Sequence, residues 1–517
     1  MRKRPTTGLL AAGLALTVTA SLGAALASPA TAGPGPASQT SAAAKAGSAA
    51  KAAKAALAEA EAAVTGTAGA SATEGRDLTL VLRDLLLAKD ALRGQDRADA
   101  ESLLLRPTTP PDDPSDPRDI YYGADADLRT QCTAAFCLHW VEEGEHATTP
   151  AFAATAFETI RHVAGVYAAA GFRAPLPDAG QEGDTRTDFY LGDIDAYGAL
   201  GFCRSDADGP VVGSAWYAYC GFDNDYASSP WLDPTSLLRV TVAHEYFHAV
   251  QFAHDAEDDG WLMESTATAM EDELYDAVND NASFLGYGQL GDPAASGYPL
   301  AGPATPLDTF DFTAYGNWIF WRYLTEQHPD ETAGVPNLVR EVWEALDTTR
   351  RPNPTSSLQA LEKVLRARGT STPQEYVAFA DANQHPWDVY EEAVEQRYPT
   401  APDTLAAATL ARNAPHATRT AVLDHLTSAT GSVVPFAGSR NLKVRVDLGD
   451  ATAGRAAVTV HRAGGATTTT YVATNKQGKG DVTVPFAAGT VSRVEVTLAN
   501  GGVADAMTAE VRYQAVG

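Results

Sequence analysis

Two periodicities divide this chain. Up to about Asn383 apolar residues recur mainly at helical spacing, with a few strand-like runs between, whereas beyond about Thr400 they alternate in short runs. Leu78, Leu82, Leu85, Leu92, Leu103 and Leu104 fit a helical hairpin turned at Gly94, with Asp96 capping its second helix. Phe136 to Glu142, Thr187 to Leu191 and Ser214 to Cys220 read as strands, and Ala151 to Gly171 as a helix. Asp233-Pro234 then has the form of a helix start, a capping residue followed by proline, and no Gly or Pro interrupts the chain from Thr235 to Asp259. Leu237, Leu238, Thr241, Val242, Phe247 and Phe252 make most of that helix apolar, which predicts burial. From Gly260 a second helix carries Met263, Ala267, Met270 and Leu274 on a core stripe, with Glu264, Thr268, Glu271 and Tyr275 on the neighbouring face.

Further helices are predicted over Tyr315 to Glu326, Val335 to Leu346, Ser356 to Arg368 and Pro373 to Asn383. Six alternating runs follow: Leu442 to Leu448, Ala457 to His461, Thr467 to Ala473, Val482 to Phe486, Val494 to Leu498 and Ala509 to Tyr513. Separated by Gly, Asn and Asp turns, they predict a β-sandwich. The expected fold class is therefore α+β, with a mixed domain over 118–399 and an all-β, sandwich-like domain over 400–517. Nothing in the latter looks catalytic; a structural role is the default, and cell-wall or substrate binding the alternative.

The first residues change the picture. Arg2, Lys3 and Arg4 precede an apolar run from Gly8 to Ala27 and then Ala30-Thr31-Ala32, the three parts of a cleavable signal peptide, so 1–32 predicts export and an extracellular location. No other stretch approaches a membrane span, so stable membrane insertion is not expected. Gly33 to Glu74 is dominated by Ala, Gly, Ser and Thr and reads as flexible; Pro107 to Pro117 reads as a linker. The position of 33–117 suggests an inhibitory propeptide, or a linker with a packing helix.

Charge narrows the partners. The formal net charge is −27, and removal of the three basic leader residues lowers it further. Nucleic acid needs a basic surface and is not an expected partner. Asp255, Glu257, Asp258 and Asp259, or Asp223 and Asp225, have the composition of calcium sites, although charge runs are more often solvated surface. The four cysteines fall into two sequence-local pairs, Cys132 with Cys137 and Cys203 with Cys220, compatible with small-loop disulfides in an oxidising compartment.

The most chemically informative segment is Ala243-His244-Glu245-Tyr246-Phe247-His248. Residues four apart lie roughly 40° apart around a helix, so His244 and His248 can hold one metal ion, and Glu245 beside them can reach a water in its open position. Glu264 on the second helix can supply a third ligand across the short acidic loop, completing a His, His, Glu set for Zn2+.

Here the chain resembles a known group. HEYFHAVQ followed by WLMESTATAMEDE is similar to the gluzincin group of zinc metallopeptidases, of which thermolysin is the best-known member. It is closer to a family of secreted bacterial proteins classed as metalloproteases, with HEYFHAVQ and W-x-x-E-x-x-A motifs. The motifs cover about 40 residues, and weaker similarity runs from roughly Asp77 to Asn383. The resemblance implies a zincin-like domain: a small sheet and active-site helix, then a helical half. It implies His244, His248 and Glu264 as ligands and Glu245 as catalytic base. Where the thermolysin pattern has an aspartate that steadies a zinc-bound histidine, this chain has Thr268, which leaves that partner unassigned.

Two rival ligands are disfavoured. His254 has the spacing of the third histidine in the metzincin pattern, but Gln251 replaces the helix-breaking glycine, so His254 is carried about 9 Å along the axis and reads as a solvated helix end. Glu271 is the weaker carboxylate candidate, otherwise an exposed helix charge. Tyr315 is the candidate for stabilising an oxyanion. The reading is a secreted zinc endopeptidase acting on protein or peptide through a metal-held water activated by Glu245. Its alternatives are a non-catalytic extracellular binding protein and a zinc hydrolase of non-peptide substrates.

Overall fold

The protein is described from a computed structural model covering residues 36–65, 78–114, 120–206, 209–227, 232–349 and 356–516. The signal-like segment 1–32 lies outside the described residues. The chain divides into two units, residues 1–49 and 50–517; the second holds everything of functional interest.

The stretch expected to be flexible is instead largely helix α1 (Pro36–Val64). Alanine is the strongest helix former, and a low content of large side chains does not prevent helix formation where small ones can be packed. Ala53, Leu57, Ala60 and Val64, spaced 4, 3 and 4, form the buried stripe. The hairpin follows as α2 (Leu78–Ala88) and α3 (Gln95–Ser102), turned at Gly94, which takes φ +59°. Gly94 itself is the cap residue of α3. Asp96 lies in the first turn, paired with Lys54, and is not the cap.

A five-stranded sheet comes next, with helix α4 (Pro150–Ala169) between its second and third strands: β1 (Arg129–Cys132), β2 (Phe136–Trp140), β3 (Thr187–Gly192), β4 (Gly201–Arg204) and β5 (Tyr219–Asp223). The order is β1-β2-β3-β5-β4; β2, β3 and β5 are parallel, while β1 and β4 are antiparallel edges. The strand expected from Ser214 begins only at Tyr219. Before it the backbone is satisfied by a helix end instead, Trp216 N–H donating to Phe252 O and Ala256 N–H to Ser214 O. Both disulfides form between facing residues of adjacent antiparallel strands, Cys132–Cys137 across β1 and β2 and Cys203–Cys220 across β4 and β5.

Helix α5 (Pro234–Asp255) starts as its sequence dictates: the Asp233 carboxylate accepts from Thr235 and Ser236 N–H, and Pro234 takes the first position. It is pressed against the sheet by stacking of Tyr246 on Phe189 and on Tyr167, whose hydroxyl donates to Ala243 O at 2.8 Å. Helix α6 (Gly260–Tyr275) packs beside it, followed by α7 (Pro293–Ser296), α8 (Thr313–Gly316), α9 (Trp318–Gln327), the small ribbon β6 (Glu331–Thr332) and β7 (Val335–Pro336), α10 (Asn337–Leu346), α11 (Ser357–Ala367) and α12 (Thr372–Ala382). The single helix expected from Tyr315 is broken at Asn317. Its side chain accepts from Gln289 N–H and donates to Leu307 O, a local alternative to helical bonding.

The C-terminal region is all β: β8 (His416–Leu423), β9 (Thr427–Val433), β10 (Asn441–Leu448), β11 (Gly454–Arg462), β12 (Thr467–Tyr471), β13 (Lys479–Pro485), β14 (Val491–Asn500) and β15 (Met507–Val516). They form two four-stranded antiparallel sheets, β13-β10-β15-β8 and β12-β11-β14-β9, which share one apolar core built on Leu442, Val444, Val458, Val494, Val496 and Val511. Strands β8 and β9 face the core mainly with small residues such as Ala417, Ala421 and Ala429, so sequence periodicity misses them. The β region is joined to the helices by buried hydrogen bonds, Tyr376 hydroxyl to Leu426 O and Thr459 hydroxyl to Asp381. Among the described residues no helix is long and apolar enough to cross a membrane.

Candidate metal centre

The two helices bring His244, His248 and Glu264 together: one ligand atom from each lies within 4.8 Å of the others. His244 Nε2 is 3.3 Å from Glu264 Oε2, and His248 Nε2 is 3.7 Å from Glu264 Oε1. Both Nε2 atoms and both carboxylate oxygens are buried without a hydrogen bond among the described groups. Four orphaned polar atoms facing one point cost several kcal/mol unless something satisfies them all, and a cation held by two imidazoles and a carboxylate does so. The donor set thus fits the metal that the spacing implies.

Each imidazole is oriented from behind. Glu271 Oε1 lies 2.7 Å from His244 Nδ1. Gln251 Oε1 lies 2.7 Å from His248 Nδ1, while its amide nitrogen donates to Met263 O and the Thr266 hydroxyl. That second set fixes the amide with its oxygen toward His248, so Nδ1 carries the proton and Nε2 presents its lone pair to the centre. Glu271, expected to be exposed, is therefore buried, and it fills the steadying role that Thr268 does not. Thr268 is itself fully buried, with an unpaired hydroxyl.

Electrostatics follow the same layout. Burial pushes the His248 imidazole down to about 4. Burial also disfavours charge on His244, but Glu264 and Glu271 override it and raise this imidazole well above its ordinary value. Burial opposes ionisation of Glu264, yet His248, His244 and the Tyr315 hydroxyl hold its carboxyl below the usual range. Burial raises Glu271 to about 7.

Glu245, Tyr315 and His244 all line one cleft of about 320 Å3, whose other walls include Leu78, Gly198–Gly201, Glu271 and Asp280. Tyr315 stacks on the His244 ring, 6.1 Å between centroids and 12° between planes. The edge strand β4 runs directly against Glu245: a Cβ added at Gly201 would lie 3.0 Å from Glu245 Cγ, so only glycine permits this approach. The Glu245 carboxylate accepts a hydrogen bond from Thr79 of α2 at 2.9 Å, a partner that no local motif announces.

Other expectations are corrected. His254 does not join the ligand group, yet it is buried rather than solvated, with its carbonyl accepting from Thr348. The Asp223 carboxylate accepts backbone N–H groups from Ile194, Asp195, Asp225 and Tyr226, a turn-building role; neither it nor the Asp255–Asp259 run belongs to a group at ligand distance among the described residues. Two further groups do lie at that distance: Asp272, Asp276 and Glu392, and Cys137, His139 and Asp188, whose cysteine is in a disulfide.

No family model matches the chain, and no curated protein matches it. Among solved structures it is similar to the pre-peptidase C-terminal domain of a collagenase from Bacillus anthracis, at 13% identity over 21% of this chain and 94% of that one, with a TM-score of 0.17. It is also similar to a family GH115 4-O-methyl-α-glucuronidase with specificity for decorated arabinogalactans, at 8% identity over 68% of this chain and 54% of that one, with a TM-score of 0.14. Neither likeness bears on the site.

Proposed function

We propose that the protein is a secreted zinc-dependent metallopeptidase of the gluzincin type, with a zincin-like domain over 118–399 and peptide or protein as substrate. One observation carries the reading: two imidazole nitrogens and one carboxylate, buried and unsatisfied among the described groups, converge where His244 lines an open cleft together with Glu245. When bound, Zn2+ supplies Lewis acidity and lowers the pKa of a water in its open position.

The chain's own groups account for the rest. Glu245 takes a proton from the attacking water and passes it to the departing amine. The Tyr315 hydroxyl, near Glu264 in the cleft, donates toward the carbonyl oxygen as negative charge develops there. Two disulfides and the signal-like leader agree with an oxidising destination. The β region, hydrogen-bonded to α12, is assigned a structural role.

The test is direct. The exported protein is purified, its bound zinc measured, and casein hydrolysis compared with that of Glu245→Gln. Loss of about 10²- to 10⁴-fold in kcat with zinc retained is expected; a zinc-loaded wild type that cleaves no peptide refutes the proposal.

A further inference from the structure

Helix α2 comes from the segment whose position suggests an inhibitory propeptide, yet it reaches the centre of the site. Thr79 is fully buried. Its hydroxyl is 2.9 Å from Glu245 Oε2 and 2.7 Å from the backbone nitrogen of Cys203. The roles are fixed by chemistry: the Cys203 N–H can only donate, so the hydroxyl accepts there and gives its own proton to the carboxylate. The bond to Cys203 anchors the hydroxyl to the edge strand. Because that strand is locked to β5 by Cys203–Cys220 and presses on Glu245 at Gly201, the carboxylate is held from two sides.

The segment around Thr79 is built in as core, not laid on as a cover. Leu80, Val81, Leu82 and Leu85 are buried in the same apolar cluster as α5 and α6. Arg83 donates to Asp258 O and to the sulfur of Met263, the residue before Glu264. Beyond α3, the Arg204 guanidinium of β4 donates to Leu103 O and Leu105 O, and Arg106 is enclosed by Asp178, Asp188 and Asp206. The cleft meanwhile stays open, with Leu78 as part of its wall. A removable plug would fill the cleft and sit on a solvent-exposed interface. This segment does neither.

We infer that Thr79 is a positioning residue for Glu245, and that residues 78–106 are a permanent part of the core behind the active cleft, with Leu78 in its wall. The inference rests on the peptidase reading of Glu245.

Three measurements test it. In peptide hydrolysis, Thr79→Val should lower kcat about 10- to 100-fold with KM little changed and zinc content intact, as loss of an orienting partner does, and Thr79→Ser should recover most of the loss. A Thr79→Val enzyme as fast as wild type, or faster, overturns the inference; the faster outcome would reveal an inhibitory contact. Should the wild type cleave no peptide, the proposed function fails, and the positioning is then read from the visible spectrum of the Co2+-loaded protein. Thr79→Val and Glu245→Gln should shift its bands alike and Thr79→Ser should not; an unmoved spectrum in Thr79→Val overturns the inference. Independently, the intact mass of the secreted, natively purified protein should include residues 78–106, and their absence overturns it.

Discussion

Two buried clusters pair histidine with acid, and they are opposites. Around His139 every group is matched: Nδ1 meets the Thr130 hydroxyl, Nε2 meets Asp188 Oδ1, and Arg106 is shared among Asp188, Asp178 and Asp206. Around His244 and His248 only the outer nitrogens are matched among the described residues, and the inner ones face the Glu264 oxygens at 3.3 and 3.7 Å. Similar residues thus make a structural network in one place and an unfinished one in the other. What separates them is not burial or composition but whether the donor and acceptor count closes.

That contrast can be broken by experiment. The largest effect should come from opening the closed cluster: Arg106→Met leaves three carboxylates without their cation and should cost about 3–5 kcal/mol in urea unfolding. A loss below 1 kcal/mol would show that the network is not what holds α3 to the sheet. Next, filling the open cluster should stabilise. Zinc at about a thousand times its Kd should raise the unfolding free energy by about 4 kcal/mol, a gain abolished in Glu264→Ala and unchanged in His139→Asn. A gain that depends on His139 would reverse the two assignments. A smaller effect is expected from loosening an outer partner: Glu271→Gln should weaken zinc binding about 10- to 100-fold by competition with a chromophoric chelator, and equal affinity would assign Glu271 to packing alone.

A third case sharpens the rule with the smallest effect. Asp258 Oδ2 is also buried without a partner among the described residues, but its carboxylate joins no group at ligand distance there, and burial raises this carboxyl to about 7. A lone orphan takes a proton rather than a metal. The folded state then binds this proton up to about pH 7 and the unfolded state only up to about pH 4, so this group's stabilising contribution is complete below about pH 4 and is lost as pH rises toward 7. Asp258→Asn should flatten the stability profile across that window by about 1.4 kcal/mol per pH unit at most. An unchanged slope would mean that the carboxyl is solvated.

How much of this was legible depends on how local each signal is. His244, His248 and Glu264 sit on two adjacent helices, so helical spacing brings them to one face before any topology is known. The Asp233-Pro234 start and the disulfide pairs are equally local. Thr79 was not legible, because its meeting with Glu245 depends on how α2 crosses the edge of a sheet whose order jumps from β3 to β5 and back to β4. Glu271 reads as an exposed charge because one helix says nothing of which face its neighbour covers. Helix α1 was hidden by its small residues, which look like a linker until a surface is found that packs them. In the β region, β8 and β9 escape because the residues they turn to the core are mostly small, Ala417, Ala421 and Ala429, and give little apolar signal.

The Cys203–Cys220 bridge carries a practical corollary. It ties the strand whose amide engages Thr79 to its neighbour, two residue pairs from the glycine that packs against Glu245. Material produced in the cytosol of an ordinary bacterial host would lack that tie, leaving the rim of the cleft free to fray. A preparation made where disulfides form should therefore be the competent one.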